Sequence, residues 1–122
     1  MAKNEIKWHK VADSIEAIDW NENNLSVAEV GGKKLTLARN GNQVFACAYK
    51  CPHASGTLAE GFIDAAGNIV CPLHRYKFSL VNGRNTSGEG YYLKTYGVEE
   101  REAGIFVGFE ENTLFDIFPN LR

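Results

Sequence analysis

The chain has 122 residues, of which 44% are hydrophobic and 23% charged, the balance of an ordinary globular domain that can bury a core without disulfides. Its 13 Lys and Arg against 15 Asp and Glu leave a formal charge of −2 with no basic run to follow a phosphate backbone, which argues against nucleic acid as a partner. No apolar stretch approaches the roughly 18 residues of a membrane span, and Met1-Ala2-Lys3-Asn4-Glu5 lacks the residue order of a secretory signal, so a soluble, cytoplasmic protein is expected.

Between Ala12 and Trp20 the sequence suits a short helix or a turn, capped by Asp13 or Ser14, with Ile15 and Ile18 facing inward. From Leu25 the residues alternate. Leu25-Ser26-Val27-Ala28-Glu29-Val30 is followed by Gly31-Gly32 and then Lys33-Lys34-Leu35-Thr36-Leu37-Ala38, and Asn40-Gly41 precedes Val44-Phe45-Ala46-Cys47. This predicts a meander whose tight turns need positive φ. The middle region, approximately 47–80, holds Cys51, His53, Cys71 and His74 among glycines and turn residues. Within it Phe62-Ile63, the turn at Asp64-Ala65-Ala66-Gly67-Asn68 and Ile69-Val70 read as a hairpin, which puts both Cys/His groups on loop tips. After Asn82-Gly83, strand-like runs are expected at Tyr91–Lys94, Gly104–Phe109 and Thr113–Ile117. No helical periodicity follows Ala28, so a single all-β domain spanning 1–122 is expected.

Cys47, Cys51 and Cys71 are an odd number of cysteines, which favours metal or cluster ligation over a disulfide staple. Cys51-Pro52-His53 is followed, after 17 residues, by Cys71-Pro72-Leu73-His74, so each group offers one thiolate and one imidazole. Two sulfurs and two nitrogens suit zinc or an iron–sulfur cluster. A Cys2His2 finger usually keeps its cysteines in one group and its histidines in the other, whereas mixed groups suit a binuclear centre in which one iron takes both cysteines and the other both histidines. Cys47, in an alternating run, is read as a small buried hydrophobe.

The pattern Cys-x-His-x17-Cys-x-x-His resembles that of the Rieske [2Fe-2S] proteins, especially the small bacterial Rieske-type ferredoxins that feed ring-hydroxylating oxygenases. Trp8-His9-Lys10-Val11-Ala12, Leu58-Ala59-Glu60-Gly61, the run Cys71–Phe78 and Asn82-Gly83 extend the likeness over nearly the whole chain. The resemblance implies an antiparallel β-sandwich base carrying a small cluster-binding subdomain, with one [2Fe-2S] cluster per chain. Cys51 and Cys71 would hold the buried iron, and His53 and His74 the outer iron near solvent. Imidazole ligands donate less negative charge than thiolates and raise the potential above that of a four-cysteine cluster, and their free ring nitrogens can couple reduction to protonation. High-potential members carry two further loop cysteines, a serine two residues after the second histidine and a tyrosine two further on. Here Gly56 and Leu73 stand at the cysteine positions and Tyr76 and Phe78 at the other two. The expected potential is therefore near the lower Rieske bound, about −150 mV. The chain's prolines are Pro52, Pro72 and Pro119, so the covering loop Thr86–Tyr92 and Gly97 lack the prolines common in the family, and a looser cover is expected.

Backbone N–H groups of Ser55, Gly56 and Thr57 are candidates to point at the cluster sulfides. Arg75 and Lys77 are read as exposed strand charges with partner steering as the alternative. Glu99, Glu100 and Glu102 are read as a solvated turn with reductase docking as the alternative, and His9 as a surface or structural residue. Phe45, Phe62, Phe106, Phe109, Phe115 and Phe118 are expected in the core or covering the sheets. No catalytic triad, carboxylate pair or phosphate loop stands out, so neither a small-molecule substrate nor independent catalysis is expected. The resemblance implies an electron carrier, a monomer by preference, that takes one electron from a flavin-containing reductase and passes it to a terminal oxygenase. The alternatives are the small subunit of an assimilatory NADH-dependent nitrite reductase and a zinc-stabilised interaction module.

Overall fold

The computed structural model of the protein describes residues 4–53 and 55–112. The described strands are β1 (Asn4–Ala12), β2 (Leu25–Val30), β3 (Lys33–Asn40), β4 (Gln43–Ala48), β5 (Phe62–Ile63), β6 (Asn68–Val70), β7 (Lys77–Ser79), β8 (Thr95–Arg101) and β9 (Gly104–Asn112). They make a six-stranded antiparallel sheet in the order β1-β9-β8-β4-β3-β2 and a three-stranded one in the order β5-β6-β7. The larger sheet curls until β1 approaches β2, and His9 of β1 reaches the β2–β3 turn.

The predicted meander is β2–β3–β4. Gly31 and Gly32 close its first hairpin with φ of 57° and 80°, conformations that a side chain would strain. In β3 the run Leu35-Thr36-Leu37-Ala38 is buried throughout. Leu35 and Leu37 face a core inside the curled sheet with Val44, Ala46, Ile105 and Val107, while Ala38 faces a second core shared with the small sheet. That second core contains Cys47, Cys51, Leu58, Ile69, Cys71, Phe78 and Leu93, so β3 and β4 form the wall against which the metal loops are packed.

Several expectations need correction. Tyr91–Lys94 is not a strand: the Leu93 amide bonds back to the Gly83 carbonyl and its side chain is fully buried, while Tyr92 makes only an isolated bridge to Arg84. The strand begins at Thr95 and takes in Glu99 and Glu100, which pair with Phe106 and Ile105, so only Glu102 lies in the turn. β1 and the third short strand β7 were not expected as strands. The segment after Ala12 is a single 3-10 turn, Ile15–Ala17, capped by Ser14; Asp13 instead pairs with Lys10 at 2.6 Å. Ile18 is buried and Ile15 half-buried, as predicted. Phe62 is exposed, whereas Phe45, Phe106 and Phe109 are half-buried; the fully buried phenylalanine is Phe78. Thr113–Ile117, Phe115 and Phe118 lie outside the described residues. His9 has a structural place, its ring 5.0 Å from that of Phe109. Gly97 pairs with Gly108 on β9, and the two bare positions give room to the Trp8 ring.

Candidate metal centre

The first loop leaves β4 and closes on itself. The Cys51 amide donates to the Gly56 carbonyl (2.8 Å) and the Ser55 amide to the Cys51 carbonyl (3.1 Å), with Ser55 at a left-handed φ of 57°. The Leu58 amide then bonds to the Tyr49 carbonyl, and the buried Leu58 side chain anchors the 3-10 turn Leu58–Glu60. The Ser55 amide is thus spent within the loop, contrary to the expectation that it would point at the centre. Gly56 has a different use: a Cβ there would stand 3.2 Å from the Cys71 sulfur and 3.1 Å from Leu73.

The second loop joins β6 to β7 and closes when the Cys71 amide donates to the Tyr76 carbonyl (2.9 Å). His74 and Arg75 both adopt left-handed φ, 61° and 57°, a conformation uncommon outside glycine. These turns carry the chain back on itself so that Cys71 stays in the core while His74 is exposed.

The two loops bring the predicted residues together in pairs. Cys51 and Cys71 are buried and close enough to share a hydrogen bond. Outside them, the rings of His53 and His74 lie 4.9 Å apart, one half-buried and the other exposed. Among the described residues no group of three or more His, Cys, Asp or Glu side chains could hold one ion. The donors thus form a buried sulfur pair and a more exposed imidazole pair.

One observation bears on whether these donors suit a metal. The His53 Nδ1 atom is buried with no hydrogen-bond partner in the protein, and such a group costs about 1–3 kcal/mol unless something accepts its lone pair. Burial pushes the Cys71 thiol up to about 11, with the neighbouring Cys51 thiol adding to the effect. Cys47 lies in the same core on β4, where burial pushes it up to about 12; it packs as an apolar residue, as the sequence suggested.

Residues that sequence reasoning did not place surround the histidines. The Tyr76 ring lies 4.1 Å from that of His53 at 33°, and Tyr91 stands 5.2 Å from His53 and 5.9 Å from Tyr76. Leu73, next to His74, and Tyr91, against His53, are exposed, as is the neighbouring Tyr92. The covering loop lacks proline yet is held by hydrogen bonds. Asn85 Oδ1 accepts the Gly90 amide (2.8 Å), Asn85 Nδ2 donates to the Lys77 carbonyl (3.0 Å) and to Glu89 Oε1 (2.9 Å), and the Lys77 amide donates to Ser87 Oγ (2.9 Å). Lys77 itself pairs with Asp64 at 3.7 Å, while Arg75 is exposed. The sequence signal for this network was the turn-rich run Asn85-Thr86-Ser87-Gly88-Glu89-Gly90, which gives no hint of what it faces.

Comparison with known proteins agrees with this geometry. A family model described as the Rieske [2Fe-2S] domain matches residues 7–96. The chain is 25% identical over 105 residues to the ferredoxin component of the alkene monooxygenase system of Xanthobacter autotrophicus, covering 80% of this chain and 85% of that protein. It superposes with a TM-score of 0.69 and 26% identity on the ferredoxin of carbazole 1,9a-dioxygenase from Nocardioides aromaticivorans, covering 80% of this chain and 93% of that one. The fold is also similar to a putative NADH-dependent nitrite reductase small subunit from Mycobacterium tuberculosis, with a TM-score of 0.72, 17% identity, and coverage of 86% and 96%.

Proposed function

This chain belongs to the Rieske [2Fe-2S] domain family, and on that premise we propose that it is a one-electron carrier, with no catalytic site of its own, for an oxygenase system. One [2Fe-2S] cluster per chain would be held by Cys51 and Cys71 on one iron and by His53 and His74 on the other. When bound, the cluster supplies a one-electron couple. The observation that carries this reading is the pairing of two core-buried thiols and of two imidazoles, one of them with an unpartnered buried Nδ1.

The chain's own residues divide the work. Leu58, Ile69, Phe78 and Leu93 exclude water from the sulfur side. The His74 imidazole reaches the surface next to the exposed Leu73, a small apolar contact that suits a weak, quickly dissociating interface. Phe78 is fully buried and carries no donor, and Gly56 and Leu73 leave no loop disulfide, so the potential belongs near the lower Rieske bound, about −150 mV. Residues 47–80, carried on the β base, form the cluster-binding part of one domain. The donor is a flavin-containing reductase and the acceptor a terminal oxygenase, by analogy with relatives named as ferredoxin components of oxygenase systems. We assign the protein to the cytoplasm as a monomer; no described helix is long and apolar enough to cross a membrane.

Rapid mixing tests this function. The dithionite-reduced protein, mixed with an oxidised ring-hydroxylating oxygenase, should be reoxidised at a rate that rises with oxygenase concentration. Inertness toward oxygenases together with stable association with a large sirohaem subunit would favour a nitrite reductase subunit, whose fold this chain shares. A colourless protein holding one zinc would favour a structural interaction module.

A further inference from the structure

The turn that follows β7 brings a charge to the histidine side of the centre and fixes it there. Asn85 Nδ2 and Ser87 Oγ both donate to Glu89 Oε1, and Asn85 Oδ1 accepts the amides of Glu89 and Gly90. The same network is tied to β7, one residue beyond Tyr76, because Ser87 Oγ accepts the Lys77 amide and Asn85 Nδ2 donates to the Lys77 carbonyl. Tyr76 in turn lies against His53. The carboxylate is therefore exposed but not free to wander, held beside β7 next to Tyr76. Hydrogen bonds from Ser87 and Asn85 hold Glu89 below the ordinary carboxylate range.

We propose that Glu89 is a positioning residue that lowers the reduction potential: Asn85 and Ser87 hold its negative charge beside the Tyr76–His53 pair, where it opposes the electron that the donor reductase delivers. The inference rests on the reading that the chain carries the cluster. One electron leaves the reduced flavin and adds one negative charge at the centre; a fixed anion nearby makes that addition less favourable. The Tyr76 ring covers one face of His53 and keeps water from screening the interaction there. Because Glu89 is exposed, the effect should weaken as salt is added.

The test is a redox titration of the cluster-loaded protein, followed by visible absorbance at low and high ionic strength. Glu89→Gln keeps the size and an acceptor oxygen while removing the charge, and its midpoint potential should move positive, more so at low salt. Glu100→Gln, which removes the same charge from β8 in the other sheet, should leave the midpoint in place. Asn85→Ala, which frees the carboxylate, should shift the midpoint in the same direction, and adding it to Glu89→Gln should add little. Equal shifts from Glu89→Gln and Glu100→Gln, or none from either in a protein with a normal reduced EPR signal, would overturn the inference. A wild-type protein without that signal would instead overturn the cluster reading.

Discussion

Gly56 of the first loop lies directly against Cys71 of the second, so closely that a Cβ on Gly56 would stand 3.2 Å from the sulfur. The two loops meet at this bare position, and its lack of a side chain leaves room for the Cys71 sulfur. Gly56→Ala should therefore keep the β base folded but reduce cluster retention by roughly 10-fold, in the range of perturbed support around metal ligands. Iron-to-protein ratios and far-UV circular dichroism on the same sample check both halves of the expectation.

Tyr76 shields His53 by its ring rather than its hydroxyl if the 4.1 Å stack is what matters. Tyr76→Phe should lose iron to a chelator at the wild-type rate, whereas Tyr76→Ala should lose it about 10-fold faster. Similar rates for both variants would mean that the ring does not protect the imidazole.

Cys47 separates packing from ligation. Cys47→Ala should retain two irons and cost about 1 kcal/mol of stability, the scale for losing a small buried group. Cys71→Ala should bind no cluster at all. Loss of iron in the Cys47 variant, measured alongside its denaturation midpoint, would show that it belongs to the ligand set.

Asp64 ties the tip of the β5–β6 hairpin, accepting the Ala66 amide (2.9 Å), the Asn68 amide (3.0 Å) and the Asn68 side chain (3.1 Å). The Asn68 amide, first among these bonds, holds the carboxyl below the ordinary aspartate range in the folded protein. A folded value below the unfolded one, about 3.9, means that the contribution is complete above that pH and is lost as the pH falls through the lower folded value. Asp64→Ala should cost about 1 kcal/mol at neutral pH. The difference from wild type should shrink as the pH drops below about 4, as urea unfolding across that range would show.

How much of this was legible in the sequence depends on the range of the interaction. The candidate ligands and the β2–β4 meander stand out in the sequence because the Cys-Pro-His and Cys-Pro-x-His groups and the Gly-Gly or Asn-Gly turns are local signals. Tyr91–Lys94 misled because its apolar residues serve a long-range contact: Leu93 is buried under the Gly83 turn instead of alternating in a sheet. β1 was hidden because its polar alternation becomes a strand only through pairing with β9 at the far end of the chain. The centre's surroundings were the least visible part. Nothing local in Asn85–Gly90 says that it braces a carboxylate, or that Tyr76 stacks on His53.

The central claim, that Cys51, His53, Cys71 and His74 hold a binuclear iron–sulfur centre, is tested most directly by low-temperature EPR of anaerobically purified protein before and after dithionite. Iron, sulfide and zinc should be quantified on the same sample. The account predicts two irons and two sulfides per chain, silence in the oxidised state, and a reduced signal with an average g below the free-electron value. A redox-silent protein with one zinc and no sulfide would contradict it.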